Sequence, residues 1–373
     1  MINPELFYNE LKQNGITFFA GVPDSLLKDI CAYITAHASP QNHVITANEG
    51  AAVGLATGYH LATGNLPMVY MQNSGLGNSV NPLISLADPD VYAIPMLLMI
   101  GWRGEPNTKD EPQHKKQGRI TLAMLESMEI PYQILDEQSD YKKVITEAVK
   151  QAKQRSCPVA IVVKSKTFNT YKLEKQVHPY SLNREDALQE ILSHLPENAV
   201  IVSTTGKLSR ELFELREKNQ QSHQTDFLTV GSMGHTSQIA TGIAMAKPDC
   251  PVFCFDGDGS AIMHLGSYAI TGAIAPPNLK MFIFNNASHD SVGGQPTIAN
   301  QIDFYSFAQS VNLFPYSPVS SLKELQEVMP QLINNNQTTF LEIKIKGGAR
   351  ADLGRPTTTP LENKKALQQF LDA

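Results

Sequence analysis

Short apolar runs alternate with longer stretches of helical periodicity along this chain. Residues 5–13 carry an apolar face at helical spacing and stop at Asn14-Gly15; an apolar run at 16–20 then enters the turn Gly21-Val22-Pro23-Asp24-Ser25. Runs at 68–72, 96–100 and 159–163 predict further strands, as do 199–203, 252–255 and 279–284. Helical patterns lie between them, among them a small-residue helix at 51–58 and one starting at Arg184. Strands apolar on both faces, with helices between, predict a parallel sheet covered on each side. The stretch 164–183 is polar, without a period, and reads as a linker. The fold class expected is α/β, with two doubly wound parallel-sheet domains, residues 1–165 and 184–373, joined by 166–183. A length of 373 residues suits two domains of ordinary size. A faint internal echo supports related halves: Leu55-Ala56-Thr57-Gly58-Tyr59-His60-Leu61-Ala62 is similar to Ile239-Ala240-Thr241-Gly242-Ile243-Ala244-Met245-Ala246.

Composition narrows the class. With 42% hydrophobic and 18% charged residues the chain is globular, not disordered. A net charge of −6 argues against broad nucleic-acid or anionic-membrane binding. Cys31, Cys157, Cys250 and Cys254 have neither zinc nor thioredoxin spacing, and the last two read as neighbours on one strand. No apolar run reaches membrane-span length, and the polar, amphipathic start has no leader pattern, so a soluble cytoplasmic protein is expected.

The candidate chemistry sits after the predicted strands. Asp256-Gly257-Asp258-Gly259-Ser260 follows the run at 252–255, and Asn285-Asn286 follows the run at 279–284, with residues 260–284 between Gly257-Asp258-Gly259 and Asn285-Asn286. Glycines flanking Asp258 let the backbone turn sharply and approach a ligand closely, and a helix from Ser260 would aim free N–H groups at the same point. Hard oxygen donors there suit Mg²⁺ carrying a diphosphate. Alone, Gly-Asp-Gly is an ordinary turn. In the N-terminal half, Thr46-Ala47-Asn48-Glu49-Gly50 puts a carboxylate at the start of the small-residue helix, where by itself it would merely complement the helix dipole.

Together these motifs resemble those of thiamine diphosphate enzymes. The resemblance implies a pyrimidine-side domain followed by a diphosphate-side domain. It implies that Asp258, the Asn286 side chain and the Ser288 backbone carbonyl hold Mg²⁺, and that Gly257, Gly259, Ser260 and the loop Thr204-Thr205-Gly206 lie along the cofactor. Glu49 would hydrogen-bond the pyrimidine N1′, so that the cofactor's own amino nitrogen removes the thiazolium C2 proton. Met233, after Ser232, would wedge between the two rings. Many such decarboxylases carry a histidine after the strand equivalent to 68–72, whereas here Gln72-Asn73-Ser74 follows. Gln72 or Asn73 could orient bound groups, but neither is a general acid at neutral pH. The catalytic proton is left to Asp24 beside Ser25, to His289 and Asp290, to His114 or to water.

The layout without a middle domain is similar, nearly end to end, to the phosphonopyruvate decarboxylase family. The likeness is carried by Gly21-Val22-Pro23-Asp24-Ser25, Gly101-Trp102-Arg103-Gly104-Glu105-Pro106, Asp110-Glu111-Pro112-Gln113-His114, His289-Asp290-Ser291-Val292-Gly293-Gly294-Gln295-Pro296-Thr297 and Arg350-Ala351-Asp352-Leu353-Gly354-Arg355-Pro356. It implies loss of CO₂ from 3-phosphonopyruvate, giving phosphonoacetaldehyde, in phosphonate biosynthesis. It also implies a homo-oligomer, dimer or larger, with active sites shared between chains. Sulfopyruvate decarboxylases share the two-domain plan; a carboligase and a non-catalytic α/β subunit are the other classes. Residues 101–119 read as a loop long enough to cover a site. That segment and the tail supply candidate anchors for the phosphonate: Arg103, His114, Lys115, Lys116, Arg350 and Arg355. For any one of these cations, a solvated surface position is the alternative.

Overall fold

The structure, a computed structural model, describes residues 1–174 and 179–372. Residues 175–178, inside the expected linker, lie outside the described residues. The chain forms two compact units, Met1–Lys175 with Ser291–Gln295, and Gln176–Asp290 with Pro296–Ala373.

Each unit is built on a six-stranded sheet. The first has β1 (Phe19–Gly21), β2 (His43–Ile45), β3 (Met68–Gln72), β4 (Met96–Gly101), β5 (Tyr132–Leu135) and β6 (Pro158–Val163), ordered β2-β1-β3-β4-β6-β5. The second has β7 (Val200–Ser203), β8 (Asp226–Leu228), β9 (Val252–Gly257), β10 (Leu279–Asn285), β11 (Phe314–Pro315) and β12 (Thr339–Lys344), ordered β11-β12-β10-β9-β7-β8. Every pairing between these strands is parallel. Taken from its other edge, the second order repeats the first. The two helices that echo each other in sequence, Glu49–Thr63 and Thr236–Ala246, each lie between the second and third strands of their own sheet. The faint likeness therefore falls on equivalent elements.

Successive residues of each strand feed opposite faces. In the first unit Met68, Tyr70, Leu97 and Met99 pack with helices Pro4–Gln13, Lys28–His37 and Tyr141–Arg155. Val69, Met71, Leu98 and Ile100 pack with Glu49–Thr63, Leu76–Ser85 and Pro112–Ser127. In the second unit Phe253, Phe255, Phe282 and Phe284 face Arg184–His194, Lys207–Lys218 and Leu322–Asn334. Val252, Cys254, Met281 and Ile283 face Thr236–Ala246, Gly266–Ile274 and Pro360–Asp372. Burial on both faces is why the strands read as unbroken apolar runs.

Several local expectations need correction. The run at 16–20 becomes a strand only from Phe19 and extends through Gly21, which was expected in the turn. A Cβ on Gly21 would stand 2.0 Å from the Tyr70 carbonyl oxygen, so only glycine lets β1 lie this close to β3 there. Cys250 precedes β9 and is not a strand neighbour of Cys254. Residues 101–119 are not one loop: Pro112, whose missing N–H is no loss at a helix start, opens Pro112–Ser127, and Lys115, Lys116 and Arg119 are exposed on it. The helix expected from Ser260 begins at Asp258 and spans only Asp258–Met263. The expected linker is anchored at both described ends. Phe168 pairs with Ile2 and sets its ring edge-on to Phe7 at 5.0 Å, the Tyr171 N–H donates to Asp29, and Leu182 is buried in the second unit. Its few apolar rings, hidden in a polar average, fix it.

Candidate active site

In both sheets the chain leaves one strand toward one neighbour and returns on the other side, between β1 and β3 and again between β7 and β9. The crevice at the carboxyl ends of such strands is where open α/β sheets bind ligands. The sequence-derived candidates follow the carboxyl ends of strands in the two sheets, apart from His114, the tail arginines and the two helix-surface lysines.

In the first unit the turn after β1 carries Asp24, fully buried, whose carboxylate accepts from the Leu26 N–H (2.9 Å), the Leu27 N–H (3.2 Å) and Gln72 Nε2 (2.6 Å) at the end of β3. Burial pushes its carboxyl up, with these donors and Arg103 opposing. Gln72 is itself held by the Ser74 hydroxyl at 2.9 Å. Asn73, by contrast, is used by the scaffold: its amide donates to the Arg103 carbonyl and to Thr121, and its oxygen accepts from the Arg103 N–H.

Arg103, just beyond β4, lies with Nε and Nη2 against Asp110 and donates from Nη1 to Ser25 Oγ at 2.7 Å. Asp110 also accepts from the Gly104 and Glu111 N–H groups. Burial works against its charge, but Arg103 and Gly104 outweigh that and hold the carboxyl low. His114 is buried with Nδ1 unpartnered; burial and the nearby Arg103 lower it to about 4, so it is neutral at pH 7. Glu49 is buried at the start of its helix, and its Oε2 accepts from Asn78 Nδ2 at 2.7 Å.

In the second unit Ser260 ties three loops together: its hydroxyl accepts from the Gly234 N–H and from Thr204 Oγ1, each at 3.0 Å. Gly206 adopts φ +102° in front of helix Lys207–Lys218, a conformation that favours glycine, with Thr205 partly exposed beside it. Gly257 ends β9 and helix Asp258–Met263 starts at the next residue, so the chain turns sharply here without a left-handed φ at Gly257 or Gly259. Gly259 matters for space instead: a Cβ there would lie 3.1 Å from His289 Cε1 and 3.5 Å from Met233 Cε. Ser232 does adopt a left-handed φ of 56°, which brings Met233 round to that point.

Asp258 is buried and accepts from Thr297 Oγ1 and from the Asn286 backbone N–H; burial pushes its carboxyl up to about 7. The Asn286 side chain accepts from the Ser288 N–H at 3.0 Å and donates to Asp290 at 2.8 Å. Asp258, Asn286 and Ser288 are thus brought together. Asp290 faces Lys207 and Arg184 and accepts from the Gly348 N–H, which engages it with the scaffold. His289 is lowered to about 4 by burial and is neutral at pH 7. Arg350 is met by Glu185, Glu214 and Asp352, and Arg355 is exposed. Thr297, Asp110 and Asn78 were missed as site candidates. Thr297 and Asp110 lay inside motifs already singled out, and Asn78 ends the run Gly75-Leu76-Gly77-Asn78.

Residues 4–125 match the thiamine pyrophosphate enzyme N-terminal TPP-binding domain, and residues 204–343 the C-terminal TPP-binding domain. The chain is 33% identical over 374 residues to a phosphonopyruvate decarboxylase of Streptomyces viridochromogenes, covering 96% of this chain and 92% of that one. It is 33% identical to the phosphonopyruvate decarboxylase of Streptomyces hygroscopicus, covering 95% and 90%. With a sulfopyruvate decarboxylase of Methanosarcina acetivorans it shares 26% identity, covering 100% and 98%. The chain belongs to the two-domain thiamine diphosphate-dependent 2-oxo acid decarboxylases, in the phosphonopyruvate decarboxylase family. It is a carboxy-lyase that uses thiamine diphosphate to remove CO₂ from a small 2-oxo acid. Among the described residues no helix is long and apolar enough to cross a membrane.

The residues present fit that cofactor. Gly75 and Gly259 keep clear the volume that a Cβ would fill beside Glu49 and beside Met233, and Glu49 presents a buried carboxylate at a strand-end crevice.

Proposed function

We propose that this enzyme is a phosphonopyruvate decarboxylase, converting 3-phosphonopyruvate to phosphonoacetaldehyde and CO₂ for phosphonate biosynthesis in the cytoplasm. The observation that carries the choice of substrate is the 33% identity, over nearly the full length of both chains, to two decarboxylases of that name. Sulfopyruvate is the second reading, supported by the 26% identity to the archaeal enzyme. Measuring CO₂ release from phosphonopyruvate, sulfopyruvate and pyruvate decides between them; faster turnover of sulfopyruvate would overturn the proposal.

We assign the first unit to the pyrimidine end of the cofactor and the second to its diphosphate, with Mg²⁺ held by Asp258, the Asn286 side chain and the Ser288 carbonyl. A carboxylate, an amide and a carbonyl are the hard oxygen donors that Mg²⁺ takes, with water and phosphate completing the shell. A buried carboxyl pushed up to about 7 becomes an ordinary anion once a cation lies beside it. Thr204, Thr205, Gly206, Gly257, Gly259 and Ser260 would line the diphosphate, and Met233 would support the rings.

When bound, thiamine diphosphate supplies a nucleophilic carbon and an acceptor for the electrons released with CO₂. Glu49 holds the proton at the pyrimidine nitrogen. Asp24 would donate a proton to the carbon that loses CO₂ and be reprotonated from solvent, since its burial-raised carboxyl retains a proton more readily than an exposed one. Ser25 and Gln72 orient the substrate beside it. At the phosphonate end, Arg103 is the first candidate anchor: Asp110 takes its Nε and Nη2 and leaves Nη1, which donates to Ser25, to meet the substrate; one lysine of the Lys115/Lys116 pair is the second candidate. Arg350, ringed by three carboxylates, is a weak one, and neutral His114 would offer a hydrogen bond, not charge.

A homo-oligomer with shared sites is part of this proposal, and the surface supports a second copy of the chain. Leu55 and Leu61 are 40% and 71% exposed on Glu49–Thr63, and Met245 is 56% exposed on Thr236–Ala246, among glycines 54, 58 and 242 with open space above them. Small-residue apolar helix faces of this kind suit a second copy of the chain.

A further inference from the structure

We infer that Asn78 is a positioning residue for Glu49, fixing one carboxylate oxygen so that the other meets the pyrimidine ring. The inference rests on the reading of Glu49 as the proton contact of the cofactor. Glu49 opens its helix, and Asn78 lies in the first turn of Leu76–Ser85. The two helix starts approach within backbone distance. A Cβ on Gly50 would stand 2.8 Å from the Asn78 carbonyl oxygen, and one on Gly75 would stand 2.5 to 2.7 Å from Cγ, Oε1 and Cδ of Glu49. Neither glycine has a positive φ, so each is required for space and not for its dihedral freedom.

Into this gap Asn78 Nδ2 donates to Glu49 Oε2 at 2.7 Å. Gly75 and Asn78, three residues apart, present the wall and the donor on one side of the turn. A glutamate carboxylate otherwise turns freely about its last torsion, which is broad and roughly two-fold. With Oε2 held by a charge-assisted hydrogen bond and Gly75 against Oε1, the carboxylate plane is set before the cofactor arrives. Asn78 is exposed in the chain, so its link to buried Glu49 contributes more to the orientation of that carboxylate than to the core.

The test measures two quantities on the Mg²⁺-loaded protein: thiamine diphosphate affinity by fluorescence titration, and exchange of the bound C2 proton for deuterium by quenched-flow NMR. Asn78→Ala should bind the cofactor within about threefold of wild type yet exchange about 10- to 100-fold more slowly, the loss expected of a charge-assisted hydrogen bond. Asn78→Asp, equal in size but facing Glu49 with a second carboxylate, should be slower still. Exchange at the wild-type rate in both variants, with Glu49→Gln slow, would overturn the role of Asn78. So would loss of cofactor binding by both, which would mark a structural residue. If Glu49→Gln exchanges at the wild-type rate, the reading of Glu49 itself fails, and the two failures are told apart by that control.

Discussion

At the scale of single residues, Arg103 shows how a motif acquires meaning from its neighbours. In sequence it is one cation among several between residues 101 and 119; in the structure it alone of these is clamped by a carboxylate and aimed at Ser25. Arg103→Ala should cost about 2–5 kcal/mol of transition-state stabilisation with phosphonopyruvate and much less with pyruvate, which lacks the phosphonate. Steady-state kinetics on both substrates check this, and equal losses would make Arg103 a scaffold residue. Gly21 makes a stability statement. Gly21→Ala sets a methyl against the Tyr70 carbonyl and should lower unfolding free energy by about 3 kcal/mol or more, read from a urea midpoint.

Between elements, the buried pair Arg184–Glu211 joins helix Arg184–His194 to Lys207–Lys218, with bonds of 2.6 and 2.8 Å. Burial pushes the Glu211 carboxyl up, so its charge depends on Arg184. Arg184→Ala should destabilise the second unit by about 3–5 kcal/mol, whereas replacing both partners by apolar residues of similar volume should be close to neutral. The comparison of single and double variants in denaturant separates an unpaired charge from lost packing. The elements were legible where both faces are apolar, as in β4, β6 and β10. They were blurred where a proline or a ring decided the outcome: Pro112 started a helix inside an expected loop, and Phe168 docked an expected linker.

For the whole molecule, pH and assembly are the levers. Burial lowers His43 and His114 to about 4, against 6.5 when exposed. Between those values the unfolded chain binds protons that the folded one refuses. Their contribution is therefore complete above pH 6.5 and is lost as pH falls toward 4, by up to roughly 3 kcal/mol each. Asp24 and Asp256, raised by burial, act in the opposite direction. The measure is consequently the difference between wild type and His43→Gln/His114→Gln, whose melting temperature should fall less between pH 6.5 and 4.5. Assembly is tested by mixing Glu49→Gln with Asp258→Ala protein. Asp258→Ala alone should lose Mg²⁺-dependent cofactor binding, and exchanged hetero-oligomers should regain part of the wild-type activity; no recovery after proven subunit exchange would count against shared sites.

By itself the sequence determined the class of fold and the chemistry, because both are local. Apolar strands buried on two faces are continuous in the chain, Asp258 and Asn286 sit after strands that the pattern already marked, and Glu49 opens the small-residue helix that it marked as well. Tertiary structure alone decided which polar groups are available. Asn73, Asp290 and Arg350 have the right chemistry, yet their partners at Thr121, Gly348 and Glu185 lie 48, 58 and 165 residues away along the chain. Charge state is decided at the same level. Asp24, Asp258 and His289 carry ordinary side chains, and burial beneath distant segments moves them away from their ordinary ionisation.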